Sequence, residues 1–235
     1  MSVKIIVSYD GTQNEDDAIA LGRLFAGAGG EVSLAYVRHT HEPDSNRETL
    51  AQHEAQELLQ RGVALFDDMQ GRSLGTHVVT DRSTPEGLRA LAEQEAADLI
   101  IFCSDSHTAK GHIAVGNSAQ RLLEGGQFAI AIAPAGLARA GEQAKIQRIV
   151  AVGDADGGAR ATSQALAAAL GAAVEPVAND ATDLLVFDSR PEAEPGRISL
   201  SSSATHLIEI ARSSVLVVPR AVTLAFEPAH AAVSG

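Results

Sequence analysis

Apolar residues fall in short continuous runs, and the stretches between the runs carry helical spacing. Residues 5–8 form one apolar run, ended by the turn Asp10-Gly11-Thr12. Residues 15–26 then set Ala18, Leu21 and Phe25 on one helical face, and the glycine-rich stretch 27–30 stops them. A second run covers 32–37, followed by a polar loop at 38–46. A long helix is predicted over 48–69, with Leu50, Leu58, Leu59, Val63 and Phe66 facing inward. A third run covers 77–80. Ser83-Thr84-Pro85-Glu86 is a helix start, with a cap residue and a proline in the first turn. That helix reaches about Ala96. A fourth run at 99–102, a loop at 103–115, a helix at 116–123 and a fifth run at 128–133 follow. Continuous apolar strands alternating with helices predict a parallel α/β sheet covered on both faces, with ligands at the carboxyl ends of the strands.

The pattern then recurs. Residues 97–134 align without a gap on residues 182–219, at an offset of 85. Phe102 meets Phe187, Gly111 meets Gly196, Ile113 meets Ile198, Ala119 meets Ala204, Leu122 meets Leu207 and Pro134 meets Pro219. An earlier segment, KIIVSYD at 4–10, matches RIVAVGD at 148–154, at an offset of 144. The two offsets differ by 59 residues, so the second copy is a shortened version of the first. Its predicted elements are strand 149–152, helix 158–170, strands 174–177 and 184–187, helix 202–211 and strand 215–218. What is missing is one helix, one strand and the next helix. In a doubly wound sheet of order 3-2-1-4-5 the lost strand is an edge, which leaves a contiguous 2-1-4-5 sheet. The expected organisation is a complete domain at 1–136, a small polar linker at 137–146, a truncated domain at 147–220, and a tail at 221–235 that adds a short strand at 222–226. At roughly 75 residues the second copy is near the lower limit for independent stability, so it is expected to lean on the first copy or on a partner.

Composition narrows the function classes. Of 235 residues, 18 are basic and 30 acidic, a formal net charge of −12, which repels nucleic acid and anionic membrane at long range. Aromatic residues make up 3% against 45% hydrophobic, so the core is built from small aliphatic side chains. One cysteine, Cys103, rules out an internal disulfide framework. No apolar stretch reaches membrane-spanning length, and the N-terminus lacks a signal-peptide layout. A cytoplasmic protein without nucleic-acid or membrane partners is expected.

Four segments of the first half (the opening IIVSYDGT, the strand AADLIIFCS, the helix start GNSAQRLL and the closing AIAIAP) resemble the universal stress protein family across nearly all its length. The second half, with VAVGD, TDLLVFDS and VLVVP, resembles a truncated cousin. The resemblance implies a Rossmann-like sheet, frequent dimers through the last strand and, in some members, ATP binding with magnesium. Nucleotide-binding members carry G-x2-G-x9-G-S/T after the fourth strand, where bare backbone and a helix N-terminus meet phosphate. With the last glycine set at Gly116, the two earlier positions are Cys103 and Ser106, and Asn117 and Ser118 follow. Asp10 falls where the family often has an aspartate near ribose and base, or it is a turn cap before the first helix. Val37 falls where the base packs. In the second copy the corresponding places are Asp188, Pro191, Ser201 and Ser202, and Asp188 sets a negative charge where a triphosphate needs none.

The resemblance therefore leads first to a regulatory or interaction protein with a weak or lost nucleotide pocket and an internal pseudo-dimer or a homodimer. The alternative is an ATP-binding switch using Asp10, Val37, Gly116, Asn117 and Ser118. A third possibility is a metal-binding module in which His39, His41, His107 and His112, with Asp105, gather at the carboxyl edge of the sheet. No enzyme constellation stands out, because G-x-S-x-G and G-x4-G-K-[ST] are both absent.

Overall fold

Ile5, Ile6 and Val7 are all buried, so the first strand has no solvent face. That is the requirement for a central parallel strand. The computed structural model describes residues 2–40, 43–66 and 74–227. In it the first half runs β1 (Lys4–Ser8), α1 (Asp16–Gly27), β2 (Glu31–Arg38), α2 (Ser45–Ala64), β3 (Gly75–Thr80), α3 (Thr84–Glu95), β4 (Leu99–Cys103), α4 (Asn117–Leu123) and β5 (Ala129–Ala133). A 3-10 turn at Ala138–Gln143 packs on α1 and leads into the second half. That half consists of β6 (Arg148–Val152), α5 (Gly158–Leu170), β7 (Ala173–Glu175), β8 (Leu184–Asp188), α6 (Ser202–Glu209) and β9 (Ser214–Val218).

The nine strands of the described residues form one sheet in the order β3-β2-β1-β4-β5-β9-β8-β6-β7. Five strands have the doubly wound order 3-2-1-4-5, and the other four repeat it as 2-1-4-5 without the outer strand. Within each half the strands are parallel; β5 and β9 alone pair antiparallel across the join. In that pairing Ala131 faces Leu216, with Ile130 opposite Val217 and Ile132 opposite Val215. Because Ala131 and Leu216 are themselves equivalent at the offset of 85, a pseudo-two-fold axis passes through this pair.

Two buried clusters line the two faces of the sheet. One gathers α1, α2 and α5 over residues such as Val7, Ile101, Ala131, Val186 and Leu216. The other gathers α3, α4 and α6 over Ile6, Ile100, Ile132, Phe187 and Val215. Among the described residues no helix is long and apolar enough to cross a membrane.

Three local expectations change. Leu50 is 57% exposed, because the buried stripe of α2 runs through Ala55, Leu59 and Gly62, and nine residues at 100° each place Leu50 on the opposite side. That helix starts earlier than predicted, at Ser45, where the Asp44 side chain caps the Asn46 and Arg47 amides; the predicted stretch 67–69 lies outside the described residues. The tail forms no strand at 222–226. Both edges of β9 are already taken by β5 and β8, so the segment crosses the helical layer instead. There Leu224 and Phe226 are buried, and the Leu224 amide donates to Thr162 Oγ1 at 3.0 Å.

Candidate functional site at the sheet reversal point

In a doubly wound sheet the crevice opens where the strand order reverses. That point lies between β1 and β4 in the first half and between β6 and β8 in the second. Asp10 follows β1 and is exposed. Its Oδ1 accepts from the Thr12 amide at 2.9 Å, which makes a local turn. Gly11 takes φ +82 against the Leu58 side chain, a conformation that L residues rarely adopt.

Glu15, the residue before α1, folds back over this turn. The backbone N–H of Asp10 donates to Glu15 Oε2. Burial pushes the Glu15 carboxyl up to about 9, and its hydrogen bond with Asp10 acts in the same direction. For Asp10, burial would raise the carboxyl, but hydrogen bonds with Glu15 and Thr12 outweigh it and hold Asp10 below its ordinary value. Near pH 7 the pair therefore carries one proton, on Glu15. Beside it, Asn14 Nδ2 donates to Cys103 Sγ at 3.2 Å and to the Ser104 carbonyl at 3.3 Å. Burial first, then the nearby Glu15 charge, pushes the Cys103 thiol up to about 12. It is a thiol, with no nucleophilic thiolate character.

The loop after β4 turns its amides inward. Asp105 N–H donates to the Ala114 carbonyl, Thr108 to Asp105, Gly111 to Ala135 and His112 to Ala109. Ser104 Oγ donates to the Ala133 carbonyl at 2.8 Å and accepts from the Ala114 amide at 3.3 Å. The second half repeats this pinning. Ser189 Oγ donates to Val218 O, and the Gly196 amide donates to Arg220 O as Gly111 does to Ala135. Gly111 and Gly196 take φ +78 and +76, which explains a glycine in both copies. Their service is to the loop's own closure.

The residues proposed from sequence are dispersed. Asp10 and Cys103 flank Glu15 at the reversal point. Val37 is 6% exposed and packs beneath α3, where a Cβ on Gly87 would come within 3.0 Å of it. Ser106 lines a groove of about 1080 Å3 along the flank of α1, with Asn14, Arg23, Lys110 and Arg139; Asp10 and Gly116 do not line it. Gly116 caps α4 at φ −69, and nothing lies within 4 Å of where its Cβ would be. Asn117 and Ser118 begin that helix.

At the second reversal point Asp188, the last residue of β8, turns into the loop after β6. Its Oδ1 accepts from the Ala159 amide, in the first turn of α5, at 2.7 Å. Its Oδ2 is buried beside Gly153 and Gly157. Burial pushes this carboxyl up against the opposing Ala159 bond, and Asp154 adds to the rise. The chain thus fills its own second crevice with a carboxyl group.

His39, His107 and His112 do not gather. Among the described residues there is no group of three or more His, Cys, Asp or Glu that could hold a metal ion. His39 sits instead between the Asp81 carbonyl and the Thr84 hydroxyl, each at 3.3 Å. His41 lies outside the described residues. Sequence reasoning missed Glu15 and Asn14. The acidic run Glu15-Asp16-Asp17 reads as a helix start, and only the folded loop shows that its first member turns back toward Asp10.

The sequence model of the Universal stress protein family matches residues 1–134, so the chain belongs to that family. Among curated proteins none matches. Solved structures share the whole two-half fold. A universal stress protein from Archaeoglobus fulgidus superposes with a TM-score of 0.66 at 13% identity, over 92% of this chain and 98% of that one. A protein of unknown function from Pseudomonas aeruginosa PAO1 superposes with a TM-score of 0.60 at 15% identity, over 92% of each chain.

Proposed function

We propose that this member of the universal stress family is a regulatory or interaction protein whose nucleotide pocket has been lost. The observation that carries the reading is that a carboxyl group of the chain occupies each reversal point, Glu15 in the first half and Asp188 in the second. A triphosphate with magnesium does not fit residues arranged this way. The Asp10 carboxylate opposes its charge, the Asp10 amide is already held by Glu15, and the loop amides of Asp105, Thr108, Gly111 and His112 are already bound to carbonyls of the chain. Cys103 and Ser106 also bring side chains where close phosphate approach favours glycine. The reading is tested by denaturing freshly purified protein and searching for released adenine nucleotide by mass spectrometry, followed by thermal melting with millimolar Mg-ATP. No nucleotide and an unchanged Tm are expected, because a ligand that binds only the native state raises its melting temperature. Near-stoichiometric nucleotide overturns the reading.

One observation favours the alternative, an ATP-binding switch: the space in front of Gly116 is open, with Asn117 and Ser118 behind it. Under that reading Gly116→Asp removes a Tm rise produced by Mg-ATP, and under the first there is no rise to remove.

A further inference from the structure

Each crevice holds a carboxyl group, but the two groups come from opposite sides. Continued without a gap, the offset of 144 sets Glu15 on Ala159, and the offset of 85 sets Cys103 on Asp188. In the first half the carboxyl belongs to the helix side, at Glu15, and it lies close enough to Cys103 on the strand side to shift that thiol. In the second half it belongs to the strand side, at Asp188, and the helix side is the small Ala159, whose amide donates to Asp188 Oδ1 at 2.7 Å. The fold keeps a place for one carboxyl group, whichever element supplies it.

The second crevice is built around that group. The backbone amides of Asp154, Gly158 and Ala159 favour its charged form. A Cβ on Gly153 or on Gly157 would meet the Asp188 carboxyl, so bare backbone lines its bed. Ala159 lies in the first turn of α5, a helix of 13 residues, whose N-terminus attracts negative charge. Yet Asp188 fits this bed incompletely: its Oδ2 is buried and accepts no hydrogen bond, which is unfavourable for a polar atom withdrawn from water. Residues 153–156 are exposed, so the crevice meets solvent on that side.

We infer that the loop at 153–159, with the first turn of α5, is a receptor for a small monocarboxylate, held shut by Asp188 as a tethered competitor. Size sets the first limit: the space between Gly153, Gly157 and the Ala159 amide holds one carboxyl group and little more. Charge sets the second. Asp154 opposes a second negative charge beside it, so a monoanion is favoured over a phosphate dianion, and the chain's net charge of −12 acts in the same direction. The tether sets the third: a carboxyl carried on the neighbouring strand competes at high effective concentration, so a free carboxylate enters only when Asp188 withdraws. This goes beyond the loss of a nucleotide pocket. Nucleotide retention neither supports nor weakens it, so the two readings can fail separately.

The test is chemical rescue in the full chain. Asp188→Gly removes the atoms of an acetate ion, and Asp188→Ala those of a formate ion. Thermal melting is followed while sodium acetate or sodium formate replaces sodium chloride at constant ionic strength. Both variants should melt below the parent. Acetate should then raise the Tm of Asp188→Gly, and formate that of Asp188→Ala, saturably and by at least half of what was lost, because the ion binds the native state. The parent should not respond. Either variant suffices if the other fails to fold. Adding Gly157→Ala to either variant should abolish the response, since the new Cβ fills the ion's place. Absence of a rise overturns the inference, as does a rise that never saturates and matches the parent's. An equal rise in the Gly157→Ala double variant puts the ion elsewhere and overturns it as well. Inorganic phosphate giving as large a saturable rise overturns the monocarboxylate assignment.

Discussion

The backbone amide of Ile113 donates to the carbonyl of Ala211 at 3.2 Å, a bond from the first half to the second. Its repeat image joins Ile198 to Gly126 at 2.8 Å, from the second half back to the first. This reciprocity is the signature of an isologous contact, here within a single chain. It flanks the β5–β9 seam, where the Ala131–Leu216 pair lies on the pseudo-axis.

Leu216 is fully buried at that seam. Leu216→Ala should cost about 2–5 kcal/mol through lost burial and the cavity left behind. Because the seam joins the two halves of one sheet, urea unfolding followed by circular dichroism should remain one transition at lower midpoint. Hydrogen exchange should show 129–133 and 214–218 losing protection together. Loss confined to the second half would mean that the halves unfold as separate units.

A second tie is the tail. Phe226 packs on Phe25 of α1, with ring centroids 5.6 Å apart and a tilt of 34°. Both rings are buried. Phe226→Ala should destabilise by about 3 kcal/mol, at the low end for a buried phenylalanine because the surrounding chain can relax. Ending the chain after Arg220 should cost at least as much, since it also removes Leu224 and its bond to Thr162. An unchanged urea midpoint for both would show that the tail is no clasp.

The second crevice predicts a rescue. A Cβ on Gly157 would overlap the Asp188 carboxylate, so Gly157→Ala should destabilise by about 2 kcal/mol or more, as overpacking does. Asp188→Gly alone costs less, and the double variant should recover most of the Gly157→Ala loss. The coupling energy from the double-mutant cycle reads that contact directly. Additive effects would place Asp188 elsewhere.

The doubly wound order, the duplication and the missing edge strand were legible because they rest on apolar runs and on a gapless offset, which strand burial imposes directly. Leu50 was misassigned because 3.6-residue periodicity allows two faces until the neighbouring strand selects Ala55 and Leu59. The segment 222–226 has strand-like composition, but a strand needs a free edge and β9 had none to offer. The site was the least legible part. Glycine spacing located Gly116 and the substituted positions Cys103 and Ser106, yet the turning back of Glu15 depends on one side-chain torsion at a helix end. Spacing carries no record of that.

That half-buried carboxyl of Glu15 gives the last prediction. Glu15 is pushed up to about 9 in the folded chain and takes an ordinary glutamate value when unfolded. Between those values the folded state holds a proton that the unfolded state has lost. Stability is therefore highest in mild acid, falls as pH rises through neutrality, and levels off above about 9. The limiting slope is about 1.4 kcal/mol per pH unit, so on the order of 3 kcal/mol is at stake between pH 5 and 7 before other groups contribute. Glu15→Gln keeps an oxygen for the Asp10 amide and cannot ionise. Urea midpoints at pH 5, 7 and 9 should decline in the parent and decline much less in the variant, with the variant the more stable at pH 9. Parallel pH profiles would show that Glu15 is solvated and leaves the first crevice open.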